Sequence, residues 1–275
     1  MKMGLRKLGA HTFGFVWEQT AEATIQALAA EGFRSFQLLA SPPHIDPFNA
    51  SNDELNAIRS AVAACGGRIV SVDLPASEFN LASPIKDAAR FSVEMYKRTV
   101  EFAAAIGSEY ITVTSGRRHA LLPAPQGHLE AIFTDSFDQI VEAAERAGIR
   151  VLLENHPHGV LPDAESMVRF LSDARYDSVD VLYDAANAAA INEDPVEGLR
   201  KVLPKTGVVH LSDAPNGSWR HDPIGAGDIE FGPIMELLKS AGYARHVVAE
   251  IISDAPLRDL IEAREYFSPI LNVRN

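Results

Sequence analysis

Short runs of apolar, mostly β-branched residues alternate along this chain with longer stretches whose apolar positions recur every three or four residues. The short runs predict strands over 8–15, 35–39, 68–74, 110–114, 150–154, 179–184, 207–211 and 246–251. Apolar runs this short and this continuous read as strands buried on both faces, as in a parallel sheet. The stretches between them predict helices. One covers 20–31, with Ile25, Leu28 and Ala29 on one face and Gly32 as its stop. Ser51-Asn52-Asp53-Glu54 is a capping box for the next, which ends at Gly66-Gly67. Ser83-Pro84 opens a third, running to about Ile106 before Gly107. A fourth covers 129–147, with Ile132, Phe133, Phe137, Ile140 and Ala144 as its buried stripe and Gly148 as its end. Asp163 caps a short helix, Asp194-Pro195 caps another, Ile234, Leu237 and Leu238 mark the face of a further one, and the last is expected over 256–266.

Eight successive strand–helix units with no gap long enough for a linker predict a closed (β/α)8 barrel, an α/β fold occupying 1–275 as a single domain. The rival is a doubly wound open sheet. No stretch reads as a second domain, and no Gly-x-Gly-x-x-Gly follows the first strand, so the barrel is favoured.

Composition narrows the functional classes. The 275 residues are 47% hydrophobic and carry a formal net charge of -12. Nucleic-acid binding needs a basic face that displaces counterions, and no Lys/Arg-rich run offers one. Cys65 is the only cysteine, so neither an internal disulfide nor a cysteine metal cluster is available. No apolar run is long enough to span a bilayer, and residues 1–15 lack a continuous apolar segment, so a cytoplasmic protein without a membrane partner is expected. The lysines, among them Lys86, Lys97, Lys201 and Lys239, fall on predicted helices, near the termini or in loops, which argues against a Schiff-base aldolase.

The chemistry lies where the last four strands end. Val151-Leu152-Leu153 runs into Glu154, Val181-Leu182-Tyr183 into Asp184, Val208-Val209 into His210, and Val247-Val248-Ala249 into Glu250. A polar or charged group at the end of a buried strand is costly unless something uses it. Barrel active sites lie at the C-terminal ends of the strands, and these four strands are neighbours in a barrel. Three carboxylates and one imidazole suit Mn²⁺, Mg²⁺ or Co²⁺, with Zn²⁺ as a further candidate, better than a closed structural zinc site. A cation held so can polarise a carbonyl, and a carboxylate beside it can take a proton from the adjacent carbon.

Around these residues the chain resembles the sugar isomerase/epimerase superfamily, the xylose-isomerase-like TIM barrels. The resemblance is carried by Leu153-Glu154-Asn155-His156, Tyr183-Asp184-Ala185-Ala186-Asn187, His210-Leu211-Ser212-Asp213, Gly225-Ala226-Gly227-Asp228-Ile229-Glu230-Phe231, Gly242-Tyr243 and Ala249-Glu250-Ile251. It is specific from 150 to 251 and only general before that. It implies that Glu154, Asp184, His210 and Glu250 bind a divalent metal. By likeness to the ketose 3-epimerase branch, Glu154 and Glu250 would also exchange protons on opposite faces of a cis-enediolate, while Asp184 and His210 serve only as ligands. That branch usually has a histidine three residues after the strand-six aspartate. Here Asn187 stands there, which can hydrogen-bond a hydroxyl but cannot carry a proton near neutral pH. Related barrels use the metal to stabilise an enolate left by dehydration or decarboxylation. The expected activity is therefore isomerisation or epimerisation of a small keto sugar or sugar-derived keto acid, with a lyase acting on a related oxo acid as the alternative. A catalytically silent sugar-binding barrel is the third reading, and the resemblance also admits a homo-oligomer.

Further substrate contacts are expected of His156, Asn187, Asp213, Arg220 and Trp17. For His156 the other reading is a ring satisfied by local backbone. Asp213 is expected to hold Arg220 or His221, and those three to reach substrate, unless they form only a solvated loop cluster. Phe13, Phe15 and Trp17 would wall the substrate, or else belong to the core. Gln37, Asp73 and Thr114 are expected to turn polar atoms towards the pocket or to bond backbone at their strand ends. Gly225-Ala226-Gly227 follows a loop and lacks Lys-Ser/Thr, so it reads as a turn rather than a phosphate loop.

Overall fold

The computed structural model describes residues 7–271. Among them eight parallel strands form a closed barrel in chain order: β1 (Gly9–His11), β2 (Ser35–Leu39), β3 (Arg68–Asp73), β4 (Ser108–Thr114), β5 (Arg150–Glu154), β6 (Asp180–Asp184), β7 (Thr206–Leu211) and β8 (His246–Ala249). Closure is direct, since Gly9 and Ala10 of β1 pair with Val248 and Ala249 of β8. The helices are α1 (Ala21–Ala30), α2 (Asn52–Ala64), α3 (Lys86–Ile106), α4 (Gln126–Ala147), α5 (Ala164–Phe170), α6 (Ala185–Ala190), α7 (Pro195–Val202), α8 (Phe231–Ser240) and α9 (Pro256–Leu271). The Ser51–Glu54 capping box forms as the sequence predicts, with Ser51 Oγ taking the Glu54 N–H and the Glu54 carboxylate taking the Ser51 N–H. Gly107 and Gly148 close α3 and α4 at φ 74° and 70°, a left-handed conformation a side chain would resist.

Side chains alternate in direction along a strand, and this places the site. Val70, Tyr110, Leu152, Leu182, Val208 and Val248 form an apolar cluster separate from the main core between barrel and helices. Leu152, Leu182, Val208 and Val248 each precede a predicted ligand by two residues, so they share its face of the strand. The lumen is thus plugged with hydrocarbon one pleat below the polar residues, which stand on it at the C-terminal mouth.

Several predicted boundaries shift, each for a local reason. The first strand stops at His11, whose Nδ1 accepts the Phe13 N–H and turns the chain into a short 3₁₀ helix over Phe13–Phe15. Ser83 is not the cap of α3; its hydroxyl accepts the Ile85 N–H, and the helix begins only at Lys86. α4 begins at Gln126, where the Pro125 carbonyl takes the His128 and Leu129 N–H groups. β8 ends at Ala249, so Glu250 stands one residue past the strand, its N–H donating to the Leu211 carbonyl. The last helix continues past Tyr266 to Leu271. The short α6 lies directly behind Asp184, a helix the hydrophobic pattern alone does not reveal because its sequence is almost entirely alanine.

Candidate metal centre and active site

Glu154 ends β5, Asp184 ends β6, His210 lies one residue before the end of β7, and Glu250 follows β8. Each offers one ligand atom, and the four atoms all lie within 4.8 Å of one another. His210 Nδ1 is 3.0 Å from Glu250 Oε2 and 3.5 Å from Asp184 Oδ2. Atoms bound at about 2.1 Å to one six-coordinate ion stand roughly 3 to 4 Å apart, so the cluster has the dimensions of a ligand shell. Asp184 divides its two oxygens: Oδ1 caps α6 by taking the Asn187 N–H at 2.8 Å, while Oδ2 is buried with no hydrogen-bond partner. An orphaned buried carboxylate oxygen is costly unless a cation satisfies it.

The histidine is oriented to match. Gln37 Nε2 donates to Asp73 Oδ2 at 2.7 Å, and a carboxylate can only accept, so Gln37 Oε1 faces His210. It lies 2.9 Å from His210 Nε2 and holds the proton on that nitrogen. Nδ1 is left with a lone pair aimed at carboxylate oxygens, an arrangement that is repulsive until a proton or a metal ion comes between them. Among the protein groups alone, burial first and then the charge of Glu250 push the Glu154 carboxyl well above its ordinary value. Burial works in the same direction on Glu250, but His221, His210 and His11 outweigh it and hold that carboxyl well below. Burial likewise disfavours a charged His210, yet Glu250 and Asp184 prevail and its proton affinity rises. A cation held between the two carboxyls would favour the ionised form of both.

The match to a family model, described as xylose isomerase-like TIM barrel, covers residues 25–270. The chain belongs to this family. An L-ribulose 3-epimerase of Mesorhizobium japonicum is 24% identical over 255 residues, covering 90% of this chain and 82% of that one. An uncharacterised protein of Methanocaldococcus jannaschii is 28% identical over 218 residues, 75% of this chain and 71% of that one. Among solved structures, a D-tagatose 3-epimerase-like protein superimposes with a TM-score of 0.84 at 23% identity, covering 98% of both chains.

Above this barrel's polar floor lies a cavity of about 120 Å³ bordered by Phe13, Asp73, His156, Asn187, Trp219 and His221 as well as by Glu154, His210 and Glu250. Drug-sized pockets run to roughly 300–1,000 Å³, so the ligand is small. The wall on the β1–β4 side is one hydrogen-bonded unit. Asp73 Oδ2 takes His11 Nε2–H at 2.5 Å as well as Gln37, and Ser71 Oγ reaches both Asp73 and Thr112. Thr114, like Asp73, borders the cavity. On the opposite side Asn155 locks Asp184 by taking its N–H at 2.7 Å and donating to its carbonyl at 3.0 Å.

The residues expected to touch substrate divide into two sets. His156 borders the cavity, and its pKa is pushed down to about 4 by burial and by the neighbouring His158 and Arg117, so it stands there as a neutral ring. Asn187 also borders the cavity; it donates to Glu154 Oε1 at 3.2 Å and accepts from Trp219 Nε1 at 2.9 Å. Asp213 instead serves the loop. It is 1% exposed, and its carboxylate accepts the N–H groups of Ala214, Gly225 and Ile229. It bonds neither Arg220, which pairs with Asp222 at 2.8 Å, nor His221, which meets Ser212 at 3.0 Å. Arg220 stands in a recess beside the cavity mouth. Trp17 is 77% exposed and outside the cavity lining, and Phe15 is core, which leaves Phe13 as the wall from that segment. Gly225-Ala226-Gly227 is a turn; a Cβ at Gly227 would come within 2.4 Å of the Ala214 backbone.

Sequence reasoning passed over His11 and Trp219. His11 ends an apolar run just as the four ligands do, but extending that strand to Phe15 hid the signal. Trp219, at helical distance from nothing and in a loop, carries no pattern that reveals its contact with Asn187.

Proposed function

We propose that this chain is a divalent-metal-dependent epimerase or isomerase of small keto sugars or sugar-derived keto acids. One observation carries the reading: Glu154 and Glu250 converge with Asp184 and His210 at the barrel mouth, around a buried Asp184 oxygen that has no hydrogen-bond partner. Glu154, Asp184, His210 and Glu250 would hold the ion, with Mn²⁺, Mg²⁺, Co²⁺ or Zn²⁺ as candidates. Such an ion supplies positive charge that polarises the substrate carbonyl and stabilises the negative charge that builds when the neighbouring carbon loses its proton. Glu250 would be the base that takes that proton in one direction, and the electrons of the broken C–H bond would pass into an enediolate. Glu154 would then deliver a proton to carbon from the other face, which inverts the centre; the reverse reaction exchanges their roles. Asn187 fixes the Glu154 carboxylate through its side-chain N–H and cannot itself shuttle protons, which leaves the two glutamates to do so. Neutral His156, with Asp73 and Asn187, offers hydrogen bonds to substrate hydroxyls.

The names of the relatives, L-ribulose 3-epimerase and D-tagatose 3-epimerase-like, support epimerisation at the carbon beside a ketose carbonyl. They lend nothing to the lyase alternative. The test is incubation of the Mn²⁺-loaded protein with a panel of ketoses and oxo acids in D₂O. Deuterium at one carbon of recovered substrate and of its epimer is expected. Release of water or CO₂ without exchange would favour a lyase, and no change in any substrate would favour a silent sugar-binding barrel.

A further inference from the structure

Beyond β7 the chain folds back and is pinned from two sides. Asp213 and Asp222 form an antiparallel bridge, with N–H to carbonyl distances of 2.9 and 2.7 Å in the two directions. The carbonyl of His221 accepts the Ile252 N–H at 2.8 Å. The His221 ring is thereby carried over the barrel mouth, with its side chain only 10% exposed. Its Nδ1 lies 3.4 Å from Glu250 Oε2 and 3.8 Å from Asp184 Oδ2. The corresponding distances for His210 Nδ1 are 3.0 and 3.5 Å. Two imidazole nitrogens thus face the same two carboxylate oxygens at nearly the same range, and one of those oxygens is the buried, unpartnered Oδ2 of Asp184.

His11 shows that proximity alone does not make a ligand. Its Nε2 comes within 3.8 Å of Glu250 Oε1, but its Nδ1 accepts the Phe13 N–H and its Nε2–H is given to Asp73, so neither nitrogen has a lone pair to offer. His221 Nδ1 has one competitor, the Ser212 hydroxyl at 3.0 Å. A hydroxyl is a rotor that can turn its proton elsewhere, and a neutral hydrogen bond gives way to a cation flanked by carboxylates.

We propose that His221 is a second imidazole ligand, so that the site offers two nitrogen donors together with its three carboxylates. This rests on the metal-dependent reading above and extends it to the choice of ion. Each imidazole moves preference away from Mg²⁺, which favours oxygen, towards Co²⁺ and Zn²⁺.

The test is calorimetric titration of cation-free full-length protein, wild type and His221→Phe, with CoCl₂ and with MgCl₂, each checked for folding by circular dichroism. Loss of one of two nitrogen donors is expected to weaken Co²⁺ binding at least tenfold, while Mg²⁺ binding changes by a smaller factor. Wild type that binds Co²⁺ beside a variant that binds it equally well overturns the proposal and leaves the metal-dependent reading intact. An equal loss for both ions also overturns it, because a ring that only shapes the pocket would affect both alike. Wild type that binds neither ion overturns both readings. Should the variant not fold, pulsed EPR of Mn²⁺-loaded wild type decides: ¹⁴N modulation from two imidazoles is expected, and modulation from one alone rejects His221 as a ligand.

Discussion

Asp184→Asn should lower stability, and by more when a divalent cation is present. Asn keeps the Oδ1 acceptor that caps α6 through the Asn187 N–H at 2.8 Å, so the local fold is retained. What changes is Oδ2, the buried oxygen without a hydrogen-bond partner, which lies within 4.8 Å of the ligand atoms of Glu154 and Glu250. One unit-charge repulsion at 4.8 Å is on the order of 3 kcal/mol at an effective dielectric of about 20. His210 Nδ1, whose proton affinity is raised in the cation-free site, lies 3.5 Å from the same oxygen and attracts it by about 5 kcal/mol on the same scale, so cation-free Asp184→Asn should be about 1–2 kcal/mol less stable than wild type. With cation at about 100 times its dissociation constant, wild type gains about 2.7 kcal/mol. At about 2–4 °C per kcal/mol for a chain near this size, that is roughly 5–11 °C in melting temperature. The variant, short of one anionic ligand, should gain little, and the gap should widen. Thermal melts of both proteins in EDTA and in 1 mM MnCl₂ measure this. Equal cation shifts in the two proteins, or a variant more stable than wild type in EDTA, would refute the reasoning.

Other perturbations probe separate parts of the account. Glu154→Gln and Glu250→Gln should each lower turnover about 10²–10⁴-fold while leaving the circular dichroism spectrum unchanged, and full activity in either would remove its proton-transfer role. Trp219→Phe keeps the ring but removes the donor to Asn187 Oδ1; kcat should fall more than KM rises, because Glu154 loses its fixed orientation, and an unchanged kcat would show that Asn187 is held without it. His44 is buried, with Nδ1 2.6 Å from the Gln19 carbonyl and Nε2 3.0 Å from Thr12 Oγ1, and burial lowers its proton affinity. The folded chain therefore binds that proton less readily than the unfolded one. The stability it contributes is complete above about pH 6.5 and declines as pH falls below it, by at most about 1.4 kcal/mol per pH unit. The stability gap between wild type and His44→Gln should thus narrow from pH 7.5 to 5.5 in urea titrations in EDTA, and a constant gap would contradict this. Leu182→Ala, in the lumen plug beneath Asp184, should cost about 2–5 kcal/mol by the same titrations, and a cost below 1 kcal/mol would mean that the plug does not support the site.

The order of elements and the four residues that converge at the barrel mouth were legible because both follow from one-dimensional signals. Buried strands show as short apolar runs, and a run that breaks into Glu, Asp or His marks the mouth of the barrel. Capping residues served well where the cap is local, as at Ser51 and Asp163, and failed at Ser83, whose hydroxyl closes a turn one step before the helix. What escaped the sequence depends on contacts across the barrel. Gln37 lies 173 positions from the histidine it orients, and His11 meets Asp73 from 62 positions away. The loop after β7 was the hardest to read. Its charges suggested a pairing of Asp213 with Arg220 or His221, whereas folding spends Asp213 on three backbone N–H groups and leaves His221 facing the carboxylates.

The central claim is a cation gripped jointly from β5, β6, β7 and the end of β8, and its most direct test is anomalous diffraction at the manganese edge from crystals grown with MnCl₂. A single strong peak about 2.0–2.3 Å from a carboxylate oxygen of Glu154, of Asp184 and of Glu250 and from His210 Nδ1 is predicted. Manganese found only elsewhere, or none at this cluster at saturating concentration, would contradict it.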